Sequence, residues 1–293
     1  MPKSSQNQSK EEIGTLFLHP WRIFGFEVFL FSLSLILGIL AGLRLEEIFV
    51  AQNISPQPIS PWQFLFYFFL ATVFLLFIIY FFKFKKGKGL ILKLLFLLAI
   101  GFGDIFFFSL FLPDILNFLI VSILIFFLIK KPFLIVHNLA VVFAVAGVGA
   151  GLGIRLTPDM VILLLLIFSI YDFIAVYKTK HMVKMAKEMV KGQAILGFVI
   201  PQKISDFPTH LKEVKPGGKF LILGAGDIVF PLILAVSLIP QGILNSLIVA
   251  LFSLVGLFAG FLIFISKKTR QPMPALPPIA LFSIIGYLAT RII

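Results

Sequence analysis

The sequence predicts an all-α fold: a polytopic membrane protein of nine transmembrane helices, with its N-terminus cytoplasmic and its C-terminus outside. Three observations predict it. The 293 residues are 60% apolar, with 37 Phe and only 13% charged residues, far too hydrophobic for a chain that folds in water. The apolar residues fall in runs of about 20, the length that crosses a bilayer at ~1.5 Å per residue. The basic residues alternate from loop to loop, as the positive-inside rule requires.

Residues 1–22 form a polar cytoplasmic tail that ends at Trp21 and Arg22, an interfacial anchor. The first apolar run, 23–43, is long enough to be a retained helix rather than a cleaved signal peptide. Further spans are expected at 64–82, 90–112, 115–129, 133–154, 158–177, 220–239, 242–265 and 275–292. The fourth is short, and Pro113 with Asp114 makes a tight turn, so the third and fourth read equally as one broken element. With the tail inside, and Lys93 counted at the inner end of its helix, 22 of the 25 basic residues lie on the cytoplasmic side and three outside. That count favours nine crossings. It also explains the net charge of +12 without nucleic acid, because basic inner loops face anionic lipid.

Residues 23–177 therefore carry spans one to six, and 220–293 carry spans seven to nine. Between them, 178–219 is a cytoplasmic loop in which Met182, Met185 and Met189 recur at helical spacing opposite Lys184, Lys187 and Lys191. This predicts an amphipathic helix on the inner membrane surface. Gly147, Gly149, Gly151 and Gly153 in the fifth span, and Gly256 with Gly260 in the eighth, predict close helix packing.

Four acids lie inside apolar stretches: Glu27, Asp104, Asp172 and Asp227. An ionised carboxylate costs several kcal/mol in hydrocarbon, so each is a functional candidate. Depth sorts them. Asp172 precedes Lys178 by six residues and Asp227 follows Lys219 by eight, which puts both roughly 9 to 12 Å in from the same side. Asp104 lies about 24 Å from that side and is set aside as structural, although GFGD repeats the form of GAGD at 224–227. Glu27 is near enough to the interface to reach water or a lysine.

Two carboxyls at one depth can share a proton, one taking a proton from water while the other polarises a carbonyl. Gly224 and Gly226 clear space beside Asp227 for a substrate backbone or the facing helix. The same acids would equally suit a proton- or cation-coupled transporter or channel. Other chemistries lack support. There is no cysteine, no His-Glu-x-x-His, no Gly-x-Ser-x-Gly and no phosphate-binding loop, so no metal and no cofactor is expected.

IYDFIAV around Asp172, LGAGD ending at Asp227 and PALP at 274–277 resemble, in order, the YD, GxGD and PAL motifs of the presenilin and signal peptide peptidase family of intramembrane aspartyl proteases. The prepilin peptidases share GxGD, but their other features do not recur here. The ordered triple on spans six, seven and nine is the specific signal. The resemblance implies that Asp172 and Asp227 are the catalytic pair, that Pro274, Ala275 and Leu276 position substrate, and that Gly224, Gly226 and Tyr171 lie at the substrate site, Tyr171 being otherwise a packing residue. It implies transmembrane segments of other proteins as substrates and the lipid bilayer as surroundings. Ala225 stands where many members have Leu. The short loop before the seventh span implies one uncut chain, and the compact, Lys-rich sequence implies a prokaryotic, archaeal-type homologue in a cell membrane. Oligomeric state is not readable.

Overall fold

The computed structural model describes residues 20–54, 59–81, 88–179, 186, 188–214, 220–266 and 272–292. Its helices are α1 (Pro20–Ala51), α2 (Pro61–Phe81), α3 (Lys88–Ser109), α4 (Asp114–Lys130), α5 (Leu134–Gly153), α6 (Pro158–Phe173), α7 (Ala225–Ser237), α8 (Ile243–Ser266) and α9 (Leu276–Thr290). Two strands, β1 (Gly197–Pro201) and β2 (Phe220–Gly224), precede α7. The stretch read as a third and fourth span is thus two helices, divided at Pro113, which caps α4. Among the described residues, five helices are long and apolar enough to cross a membrane: α1, α3, α5, α8, and α6 with the turn that extends it to Lys178. Most of the predicted polar tail and the stretch carrying Met182 and Met185 lie outside the described residues. Helix is described at 188–191.

One expectation is corrected. The seventh span was expected to begin as helix at 220, but 220–224 is a strand, paired antiparallel with 197–201 from Gly197 opposite Gly224 to Pro201 opposite Phe220. A five-residue apolar run carries no period long enough to separate strand from buried helix. Here a second apolar run of equal length pairs with it, and the extended Gly224 ends the strand as the N-cap of α7.

Packing follows the small residues. A Cβ on Gly38 of α1 or on Gly149 of α5 would collide with Leu232 of α7, and one on Gly42 or Gly153 would strike Val236. Both pairs advance together along the chain, so α1, α5 and α7 run parallel with their axes close. Gly103 of α3 similarly lies against Ala144 of α5. Gly256 of α8 faces Ile279, whereas Gly286 of α9 faces Phe252, which makes α8 and α9 antiparallel. The centre of this bundle is α7, where Pro231 through Ser237 are all buried. Outer faces are apolar and exposed, as with Phe66, Phe69, Ile115, Phe118, Leu163 and Leu251.

The start of α5 is tied to the segment around 207–211. Leu134 and Ile135 donate backbone N–H bonds to Thr209 and Phe207 at 3.0 and 3.3 Å, and Leu211 N–H donates to Pro132 at 2.8 Å. Amides at a helix start have no partner within the helix, and here another loop supplies it.

Candidate active site

The hairpin delivers Asp227. β2 stops at Gly224, whose extended backbone (φ −65°, ψ 143°) makes it the N-cap of α7. Asp227 is the third residue of the helix, and its carboxylate accepts the Gly224 N–H. This is the reciprocal half of a capping box. A side chain at Gly224 would sit 3.1 Å from Asp227 Oδ2, so glycine keeps that carboxylate uncrowded. Gly226 is exposed, with only the Phe230 ring within 4 Å of where a Cβ would stand. Pro231, four residues on, has no N–H to give to the Asp227 carbonyl, which leaves that oxygen outside the helical ladder.

β1 is itself held from α5. Asn138 grips Val199 on both sides, its Nδ2 donating to the Val199 carbonyl and its Oδ1 accepting the Val199 N–H, each at 2.9 Å. His137 Nε2 donates to the Gly197 carbonyl at 2.9 Å while the ring stacks on Phe96. A Cβ on Gly197 would collide with the Leu223 carbonyl, so the strands meet there closely enough to require glycine. The Ala225 N–H completes the junction by donating to Leu196 O at 3.1 Å.

Asp172 comes from the other side. It lies one residue before the end of α6, after which the backbone opens into a π turn over Ile174–Lys178. Such turns favour functional sites because they re-aim neighbouring side chains. Its carboxylate accepts the Leu276 N–H, at the first residue of α9. The PALPP sequence explains the contact. Pro277 and Pro278 have no N–H, so among the first three residues of α9 Leu276 alone has an amide in need of a partner. Pro274 and Leu276 are buried and Ala275 is half-buried, acting as N-cap. At the far ends of the same two helices, Tyr287 OH donates to Asp159 at 3.0 Å and accepts Arg291 Nη2 at 2.7 Å.

Asp172 and Asp227 are thus brought together, within electrostatic reach of one another, each on the backbone amide of a helix start. Asp172 is 5% exposed and its Oδ2 has no hydrogen-bond partner. Tyr171 beside it points outward and is exposed. Glu27 departs from expectation. It reaches neither water nor a lysine among the described residues, but is buried with Oε2 unpartnered and lies within electrostatic reach of Asp227. Asp104 is fully buried, with both carboxyl oxygens unpartnered. Among the described residues no cluster of His, Asp and Glu is arranged to hold a metal ion.

The profile of the family described as signal-peptide peptidase, presenilin aspartyl protease matches residues 28–293. The chain belongs to that family. It is an intramembrane aspartic endopeptidase by membership, and its apolar helices are those of an integral membrane protein. Two solved structures of a presenilin family intramembrane aspartate protease share the fold. One, from C222 crystals, is 21% identical with a TM-score of 0.58, covering 89% of this chain and 94% of its own. The other, from P2 crystals, is 23% identical with a TM-score of 0.57, covering 89% and 96%. A search of curated proteins found no match.

Sequence reasoning about the protease missed three supports of the site: the hairpin, the His137–Asn138 pair and the placement of Glu27. The pair left a signal, two adjacent polar residues in the apolar run of α5, which had to find partners inside the fold.

Proposed function

We propose that Asp172 and Asp227 are the catalytic dyad of a protease that hydrolyses peptide bonds within transmembrane segments, near their cytoplasmic ends. One observation carries this reading: two carboxyls from different helices converge, each steadied by one backbone N–H and each left with capacity for water and substrate. One carboxylate removes a proton from water as the oxygen attacks the scissile carbonyl carbon, while the other carboxyl donates its proton to the carbonyl oxygen. The tetrahedral diol then collapses. The C–N bond breaks, the amine leaves with a proton from the dyad, and no covalent enzyme intermediate forms. Around it, α1–α9 make nine crossings of a prokaryotic cell membrane with the N-terminus inside. The basic-residue count and the alternating direction of packed helices support that topology.

A helical substrate hides its carbonyls, so cleavage requires local unwinding and partners for the freed backbone groups. β2 supplies them. It is paired on one side by β1, and among the described residues no strand occupies its other edge. A substrate segment adding there by main-chain hydrogen bonds runs toward Gly224, Gly226 and the dyad, with Pro274, Ala275 and Leu276 opposite and Tyr171 on the exposed flank. The direct test incubates the purified protein with a single-span reporter. Asp172→Asn and Asp227→Asn each abolish cleavage without changing the melting temperature by more than a few degrees. An Asp227→Asn protein that cuts at the normal rate rejects the dyad.

A further inference from the structure

A cavity of about 1070 Å³ opens away from the dyad, between the first turns of α1, the start of α5 and the segment 202–207. Its lining includes Phe26, Phe29, Leu33, Ile135 and Leu139, together with two cations, Arg22 and Lys203. No acid lines it. Asp206, on the 3-10 turn that follows Lys203, is the nearest in sequence and receives the Ser205 hydroxyl at 3.4 Å. Among the described residues neither Arg22 nor Lys203 has an ion pair. An apolar cavity whose lining carries two cations and no acid matches one chemistry: an acyl chain along the apolar wall and an anionic headgroup at the cations.

We propose that this cavity is a binding site for an anionic phospholipid, its phosphate at Arg22 and Lys203 and an acyl chain between α1 and α5. The location gives it a role beyond solvation. Asn138, which lines the cavity, is the residue that grips Val199 of β1, and Gln202 and Lys203 directly follow β1. A bound lipid thus fills space against the support of the hairpin. Gly25 lies on the wall, and nothing stands within 4 Å of where its Cβ would be, so a larger side chain fits there and occupies the trough.

Trp21, beside Arg22, is one of only two tryptophans, the other being Trp62. The test uses the full chain carrying Trp62→Phe, reconstituted in phosphatidylcholine vesicles to which brominated phosphatidylglycerol or brominated phosphatidylcholine is added in steps. Bromine quenches Trp21 when a lipid sits nearby, and this readout is independent of proteolysis. Phosphatidylglycerol is expected to quench at lower mole fraction by roughly fivefold for each basic group. Both Arg22→Gln with Lys203→Gln, and separately Gly25→Leu, bring the two lipids to parity. Equal quenching by both lipids in the parent protein overturns the site, and so does an absence of quenching, which leaves the cavity to the chain's own first 19 residues or to nothing. A preference that survives Gly25→Leu overturns it as well, reducing it to general attraction for a basic surface.

Discussion

Asp104 and Asp227 stand in the same Gly-x-Gly-Asp setting, yet their carboxyls meet different neighbours. Asp227 follows a strand and takes the amide of its own N-cap, while Asp104 lies inside α3 with neither oxygen partnered. The tetrapeptide therefore says little, and the depth count that set the two apart used a helical rise for 220–224, which is strand and advances about twice as far per residue. Asp104→Asn is expected to keep cleavage within about twofold of the parent, since removing an unpaired buried carboxyl relieves a burial cost. Loss of turnover in a well-folded Asp104→Asn protein would place it in the site. Glu27 was harder to read, because counting residues gives depth but not the direction in which a side chain points. Its position beside Asp227 means that Glu27→Gln removes a titratable carboxyl from the dyad's surroundings, and the pH profile of cleavage should change in that variant but not in Asp104→Asn. Superimposable profiles for Glu27→Gln and the parent would exclude Glu27 from the chemistry.

The hairpin is the element on which the site depends and the one least visible in the sequence. GFVIP and FLILG are short apolar runs some twenty residues apart, and their pairing is a long-range fact that no local period records. What holds them is polar. Asn138→Leu leaves the Val199 N–H and carbonyl unpaired in a buried strand, at a cost of roughly 2–6 kcal/mol. That variant should lose cleavage together with several degrees of thermal stability, whereas Asn138→Asp, which keeps one acceptor, should lose less. Equal stability of Asn138→Leu and the parent would mean that β1 is held otherwise. If β2 receives substrate as a strand, ease of unwinding governs the choice of bond. A reporter with Gly or Pro near the scissile position is cut faster than one with a run of Leu, and equal rates at matched binding would remove the unwinding step.

Across the whole molecule, the succession of apolar helices was legible because hydropathy acts on each helix separately. Which helices touch was legible only where glycine marks the contact. Gly149→Leu drives a side chain into Leu232 and forces α5 from α7, so overpacking should cost about 1–3 kcal/mol or more. The same change at Gly25 meets open space and leaves the melting temperature in place. Matching losses at the two positions would contradict the assignment of α7 as the centre. The union of α6 with α9 was not legible at all, since its polar ties are long-range: the Asp172 carboxylate on one amide among prolines, and Tyr287 on Asp159 at the far ends. That union makes the start of α9 a point of competition. On the proposed assignment of Asp172 to the dyad, a substrate carbonyl arriving there would compete with Asp172 for the Leu276 N–H and gain it only by releasing the acid. The vacant enzyme would then restrain the very group that the arriving peptide sets free.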